Sequence, residues 1–122
     1  MNPISIAWAA GLLEGEGCFS IFHRKTAKHD FKTVAIHCEM TDEDTVQKIY
    51  SVFNVGTVIL RPNVSGRQDR RDRKPTWIWS VQNQAGVLLV CEAILPHMGE
   101  RRSKKILELL EYVKSKINLD NS

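Results

Sequence analysis

Residues 7–17 read AWAAGLLEGEG, an apolar run that closes on two acids and three glycines. Ile4 to about Leu13 holds one polar residue, Ser5, so a helix here must be buried nearly all round. Its apolar positions separate into two stripes. Ile6, Ala10 and Leu13 share one face, while Trp8, Gly11, Leu12 and Gly15 follow the i, i+3, i+4, i+7 spacing of another. A chain of 122 residues has one core to offer this helix, so the second stripe needs a partner.

Length and composition set the frame for that requirement. With 43% apolar and 25% charged residues, residues 1–122 fit one ordinary domain with a single core. No stretch reaches the roughly 18 uninterrupted apolar residues that a membrane span needs, and Ile4–Leu13 lacks the basic leader and cleavage pattern of a signal peptide. The expectation is a soluble, intracellular protein with no membrane partner, cytoplasmic or organellar according to source. Cys18, Cys38 and Cys91 show no C-x-x-C spacing, so they read as reduced core or interface residues rather than disulfides or zinc ligands. His23, His29, His37 and His97 likewise lack ligand spacing. The net charge of +3 is unevenly shared: residues 1–60 carry five Lys/Arg against seven Asp/Glu, and residues 61–122 carry twelve against seven. A basic second half points to a polyanion.

Downstream of the helix, Cys18–Arg24 and Thr33–Met40 alternate and are rich in β-branched and aromatic residues, which predicts a hairpin across the polar segment KTAKHDFK. Acidic and cap-type residues from Thr41 to Asp44 then precede Val46, Ile49, Tyr50 and Phe53, the pattern of a second, amphipathic helix. Gly56 restarts an extended run, TVILR, and TWIWSVQ follows the loop PNVSGRQDRRDRKP as a second hairpin. Asn83 caps a third helix from Gln84 to about Leu95, which Pro96 stops, and a fourth runs from Arg102 to Ile117. This order predicts an α+β domain whose antiparallel sheet carries helices on one face and leaves the other open.

Alternation assigns Phe19, Ile21, Val34, Ile36, Val58, Leu60, Trp77 and Trp79 to the covered face. The open face then holds Ser20, Phe22, Arg24, Thr33, His37, Glu39, Thr57, Ile59, Arg61, Thr76, Ile78, Ser80 and Gln82. That mixture of donors, acceptors and small apolar groups suits base-edge readout in a major groove. The loop between the strands of the second hairpin adds Arg67, Arg70, Arg71, Arg73 and Lys74 against Asp69 and Asp72, a composition suited to phosphate contact.

Ala9–Gly17, AAGLLEGEG, resembles the LAGLIDADG motif of homing endonucleases in its GEG-ending form. The likeness extends from Ile4 to about Val113 through the αββαββα element order, the Gly56 restart, the Trp-rich fourth strand and the basic pair after Pro96. It implies the αββαββα fold with a four-stranded antiparallel saddle sheet. One copy of the motif implies a homodimer in which the Trp8, Gly11, Leu12, Gly15 stripes of two chains pack together. It further implies a homing endonuclease, intron- or intein-associated, that makes metal-dependent double-strand cuts in a long pseudo-palindromic DNA target.

Residue by residue, the family's metal-binding acid falls on Glu16, and the carbonyl before it on Gly15. Two Glu16 carboxylates brought together would repel unless divalent cations lie between them, and such oxygen ligands suit Mg2+. The basic residue after the third helix falls on Arg101, which could neutralise charge on a scissile phosphate but not donate a proton. The residue that orders solvent near the metal falls on Asp42, with Glu39 as its rival. Glu14 reads either as a solvated or capping residue or as a second catalytic acid. The sequence departs from the motif by Glu at both acidic positions and Ala9 in place of Leu. The alternative reading is an RNA-splicing maturase or DNA-binding regulator built on the same fold.

Overall fold

The computed structural model describes residues 1–28, 30–62 and 74–120. Helix α1 (Pro3–Glu16) begins where Asn2 places its side-chain oxygen on the N–H groups of Ile4 and Ser5. This satisfies donors that have no partner within the helix. It runs past Leu13 to include both acids. Strand β1 (Gly17–Lys25) follows without a loop and pairs antiparallel with β2 (Asp30–Met40). Helix α2 (Glu43–Phe53) closes on Asn54 in the left-handed conformation. Gly56 has φ +86°, and a Cβ there would meet the Ser80 carbonyl at 2.5 Å. Only glycine fits this turn.

The second hairpin comprises β3 (Thr57–Arg61) and β4 (Thr76–Val81). It joins the first through β2 and β4, so the sheet order is β1-β2-β4-β3 and every pairing is antiparallel. Helix α3 (Gln84–Ile94) starts at Asn83, whose Oδ1 accepts from the Gly86 N–H at 2.6 Å. A 3-10 turn, Leu95–His97, contains Pro96 and leads to α4 (Glu100–Asp120).

The helices cover one sheet face. Phe19, Val34, Ile36 and Trp79 meet Ala9, Ala10 and Leu13 of α1, Val46, Ile49 and Phe53 of α2, Val87, Val90 and Ile94 of α3, and Ile106, Leu109 and Val113 of α4 in one buried cluster. Trp79 anchors it: its ring stacks on Phe53 with centroids 5.8 Å apart, and its Nε1–H donates to the Val55 carbonyl at 2.9 Å. Burial of such side chains is the main favourable contribution to folding. Leu60, expected on the covered face, is 44% exposed. Burial fades outward along this hairpin from Trp79 through half-buried Val58 and Trp77, so the edge strand extends past its helical cover. Of the cysteines, Cys38 and Cys91 are buried while Cys18 is exposed. No described helix is long and apolar enough to cross a membrane.

Candidate nucleic-acid interface and active site

Strand registry sets the open face row by row. Cys18, His37, Ser80 and Thr57 stand opposite one another across all four strands, and Glu39, Ile78 and Ile59 form the next row. Arg61 pairs with Thr76, and Phe22 with Thr33. Ser20 pairs with Ala35, and Gln82 follows β4, its amide donating to the Ser80 hydroxyl at 3.5 Å. All these residues therefore lie on the face opposite the buried cluster. Arg24 pairs with Phe31 in the ladder, its side chain being outside the described set, and His29, Arg67, Arg70, Arg71 and Arg73 lie outside the described residues altogether. Lys74 is exposed just before β4. Cys18, Phe31 and Ala35 belong to the same face, and strand parity alone would have added them to the sequence-derived set.

A groove of about 590 Å³ runs along this face, lined by Glu16, Cys18, His37, Glu39, Ile59, Arg61, Ile78, Ser80 and Gln82. The end of α1 thus delivers Glu16 to the same concavity that the strands build. Glu39 accepts from Arg61 and Thr76 there. Asp42 is exposed at the N-cap of α2, its carboxylate making no capping hydrogen bond, and it is not among the residues lining the groove. Beneath the groove, burial first and the Glu16 charge second push the Cys38 thiol up to about 11. Burial disfavours the thiolate, and a neighbouring carboxylate disfavours a second anion.

The two acids of α1 have different surroundings. Glu14 Oε1 accepts from the Gly99 N–H at 3.0 Å, its backbone carbonyl accepts from Arg102 Nε at 3.1 Å, and its Oε2 lies 4.0 Å from the same nitrogen. Glu14 therefore ties the end of α1 to the start of α4, where a negative charge is favoured by the helix dipole. Arg102 also lies over the Phe19 ring, 5.7 Å from its centroid. Arg101, one residue earlier, is exposed on the first turn of α4 and makes none of these ties.

Glu16 is exposed. In the last turn of α1 the Leu13 carbonyl accepts from the Gly17 N–H and the Glu14 carbonyl from Arg102. The carbonyls of Gly15 and Glu16 have no intrahelical partner left. A carboxylate beside backbone carbonyls offers the kind of oxygen donors that a hard divalent cation takes. Among the described residues no three His, Cys, Asp or Glu side chains converge as metal ligands.

The outer face of α1 is open. Ile4 is 81% exposed, Ala7, Gly11 and Gly15 are exposed, and a Cβ at either glycine would meet nothing within 4 Å. Trp8 and Leu12 flank this strip, half-buried against the core, and Lys48 Nζ sits 4.1 Å over the Trp8 ring. Ile4 extends the strip by one turn beyond the residues that spacing had singled out.

Residues 9–115 match the LAGLIDADG endonuclease family. A probable intron-encoded endonuclease aI2 of Debaryomyces hansenii is 34% identical over an alignment of 106 residues that covers 84% of this chain and 13% of the relative. The chain therefore spans about an eighth of that curated relative. Among solved structures, the homing endonuclease I-CvuI superposes with a TM-score of 0.74 at 16% identity, covering 97% of this chain and 71% of that one. The homing endonuclease I-GzeII gives 0.72 at 14% identity, covering 98% of this chain but 37% of the larger one. The fold and the motif agree: this chain belongs to the LAGLIDADG endonuclease family.

Proposed function

We propose that the chain acts as a homodimeric, magnesium-dependent homing endonuclease that cuts both strands of a long pseudo-palindromic DNA site. The observation that carries this reading is the placement of Glu16, which ends the helix with the unpartnered Gly11–Gly15 face and at the same time lines the open groove of the sheet. Glycines four residues apart allow two helix backbones to approach closely. A two-fold pairing of α1 would bring two Glu16 carboxylates together at the centre of a double-length groove. The I-CvuI and I-GzeII structures are of complexes with DNA targets, one I-CvuI complex in the presence of calcium and another of magnesium. These relatives support DNA as the ligand and a divalent cation as the cofactor.

In this reading Glu16 and the Gly15 carbonyl hold the cation. When bound, it supplies Lewis-acid polarisation of the scissile phosphate and activation of water. Arg101 offers a permanent positive charge for the phosphate but, with its high pKa, no proton. Asp42 or Glu39 orders attacking solvent; Glu39 lines the groove with Glu16, although its carboxylate is already engaged. The nine residues of β1 span roughly 30 Å at 3.3 Å per residue. Two subunits then cover about 60 Å, or roughly 18 base pairs at 3.4 Å each.

Incubation with a randomised duplex library and magnesium, followed by sequencing of cut ends, tests the proposal. Paired cuts at the centre of a two-fold symmetric site, leaving short 3′ overhangs, are expected. Stable binding without any cutting would support the maturase or regulator reading instead, and a footprint under about ten base pairs is incompatible with the end-to-end geometry.

A further inference from the structure

Glu39, Arg61 and Thr76 stand on three different strands, β2, β3 and β4, yet their side chains meet. Arg61 reaches across β4, a span of two strand spacings or roughly 9.6 Å, and its Nη1 donates to both Glu39 oxygens at 3.2 and 3.4 Å. The Thr76 hydroxyl donates to Oε2 of the same carboxylate. The Arg61 side chain remains 65% exposed and that of Glu39 33%.

We infer that Glu39, Arg61 and Thr76 form one reading unit for a single base pair in each half-site, with Arg61 holding a guanine while Glu39 and Thr76 fix its guanidinium in place. The inference rests on the DNA-binding function proposed above. Among the described residues only Nη1 is engaged, so the Nη2 and Nε donors are left, enough for a bidentate contact with guanine O6 and N7. A free arginine would lose rotamer freedom on meeting a base, and a guanidinium already tied to its neighbours loses less. The pair also resolves an electrostatic difficulty. A bare carboxylate in the groove would repel the phosphates, whereas one matched by Arg61 adds no net charge. Exposed ion pairs contribute little to folding, so the unit can be dismantled without unfolding the domain. Glu39 and Thr76 are positioning residues in this scheme and Arg61 is the base reader.

The test is selection of bound duplexes from a randomised library, with calcium in place of magnesium, by the wild type and by Arg61→Ala, Glu39→Ala, Glu39→Gln and Thr76→Ala. The wild type should prefer guanine at one symmetric pair of positions, and Arg61→Ala should lose that preference by roughly 5- to 150-fold, the range of one bidentate contact. Glu39→Ala should lose most of the same preference at the same positions, Glu39→Gln should keep part of it through its amide oxygen, and Arg61→Ala combined with Glu39→Ala should be no worse than Arg61→Ala alone. Retention of the full preference by Glu39→Ala, or a loss at positions Arg61→Ala does not touch, overturns the unit while leaving DNA binding intact. A uniform loss across all positions with a lowered melting temperature makes Glu39 a structural residue and also overturns it. A wild type that enriches no sequence overturns both this inference and the proposed function.

Discussion

Ile78 and Trp79 are neighbours on β4 and face opposite ways. Trp79 is wholly buried, stacked on Phe53 and hydrogen-bonded to Val55. Ile78 lies in the groove between Glu39 and Ile59. The same division runs through the first hairpin, where Cys38 is buried beneath the helices and Cys18 is exposed in the groove. One face of the sheet packs against helices of its own chain, and the other leaves side chains such as Phe22, Ile59 and Arg61 exposed. In the proposed function, stability and recognition are carried by alternate residues of the same strands, so each can be altered with limited effect on the other.

The largest effect should come from breaking the covered face. Trp79→Ala removes a buried indole and leaves a cavity, a change of about 3–5 kcal/mol, so a thermal or denaturant melt should show the variant largely unfolded at 37 °C. Ile78→Ala should shift stability by less than about 1 kcal/mol while altering DNA affinity. Equal destabilisation by the two would remove the distinction between the faces.

Next in size is the open face of α1. Gly11→Leu places a bulky side chain where nothing among the described residues lies within 4 Å, so the subunit should fold but its helix should no longer meet a partner. Light scattering should report monomer or aggregate, whereas a monodisperse dimer would locate the interface elsewhere.

The smallest effect is chemical. Under native conditions near pH 8 a thiol reagent should label Cys18 alone, since burial holds Cys38 and Cys91 as thiols, pushed up to about 11 and about 12. The thiolate is the nucleophile. Because both folded values lie above the ordinary value of 9.0, their contribution to stability is complete below pH 9 and falls as the pH rises from there toward 11 and 12. Rapid labelling of all three thiols at pH 8 would show that the covered face opens readily.

Much of this architecture was legible because it is periodic. Alternation in TWIWSVQ and TVAIHCEM assigned residues to faces, and Gly56, Asn83 and Pro96 marked a turn, a cap and a stop. Other features depend on contacts far apart in sequence. The strand order places β4 against β2, which no local pattern encodes. Glu14 finds its partner at Gly99, 85 residues away, so its helix-tying role could not be separated from catalysis by spacing. The polar segment before Thr33 reads as a loop, yet β2 begins at Asp30 because pairing with Lys25 extends the ladder. Leu60 reads as core by alternation but lies beyond the helices that would cover it. Within the site, the motif pointed to Glu16, while the Arg61–Glu39 tie across β4 needed the folded sheet.

Glu14 and Glu16 make the most direct comparison of all, two acids two residues apart, one tied to α4 and the other exposed in the groove. Magnesium-dependent cleavage of a selected DNA site by Glu16→Gln tests the central assignment. Cutting should disappear while binding in calcium stays within a few-fold of wild type and the melting temperature is unchanged, because an amide keeps the shape but loses the charge that would hold the cation. Cutting at the wild-type rate by Glu16→Gln would contradict that assignment.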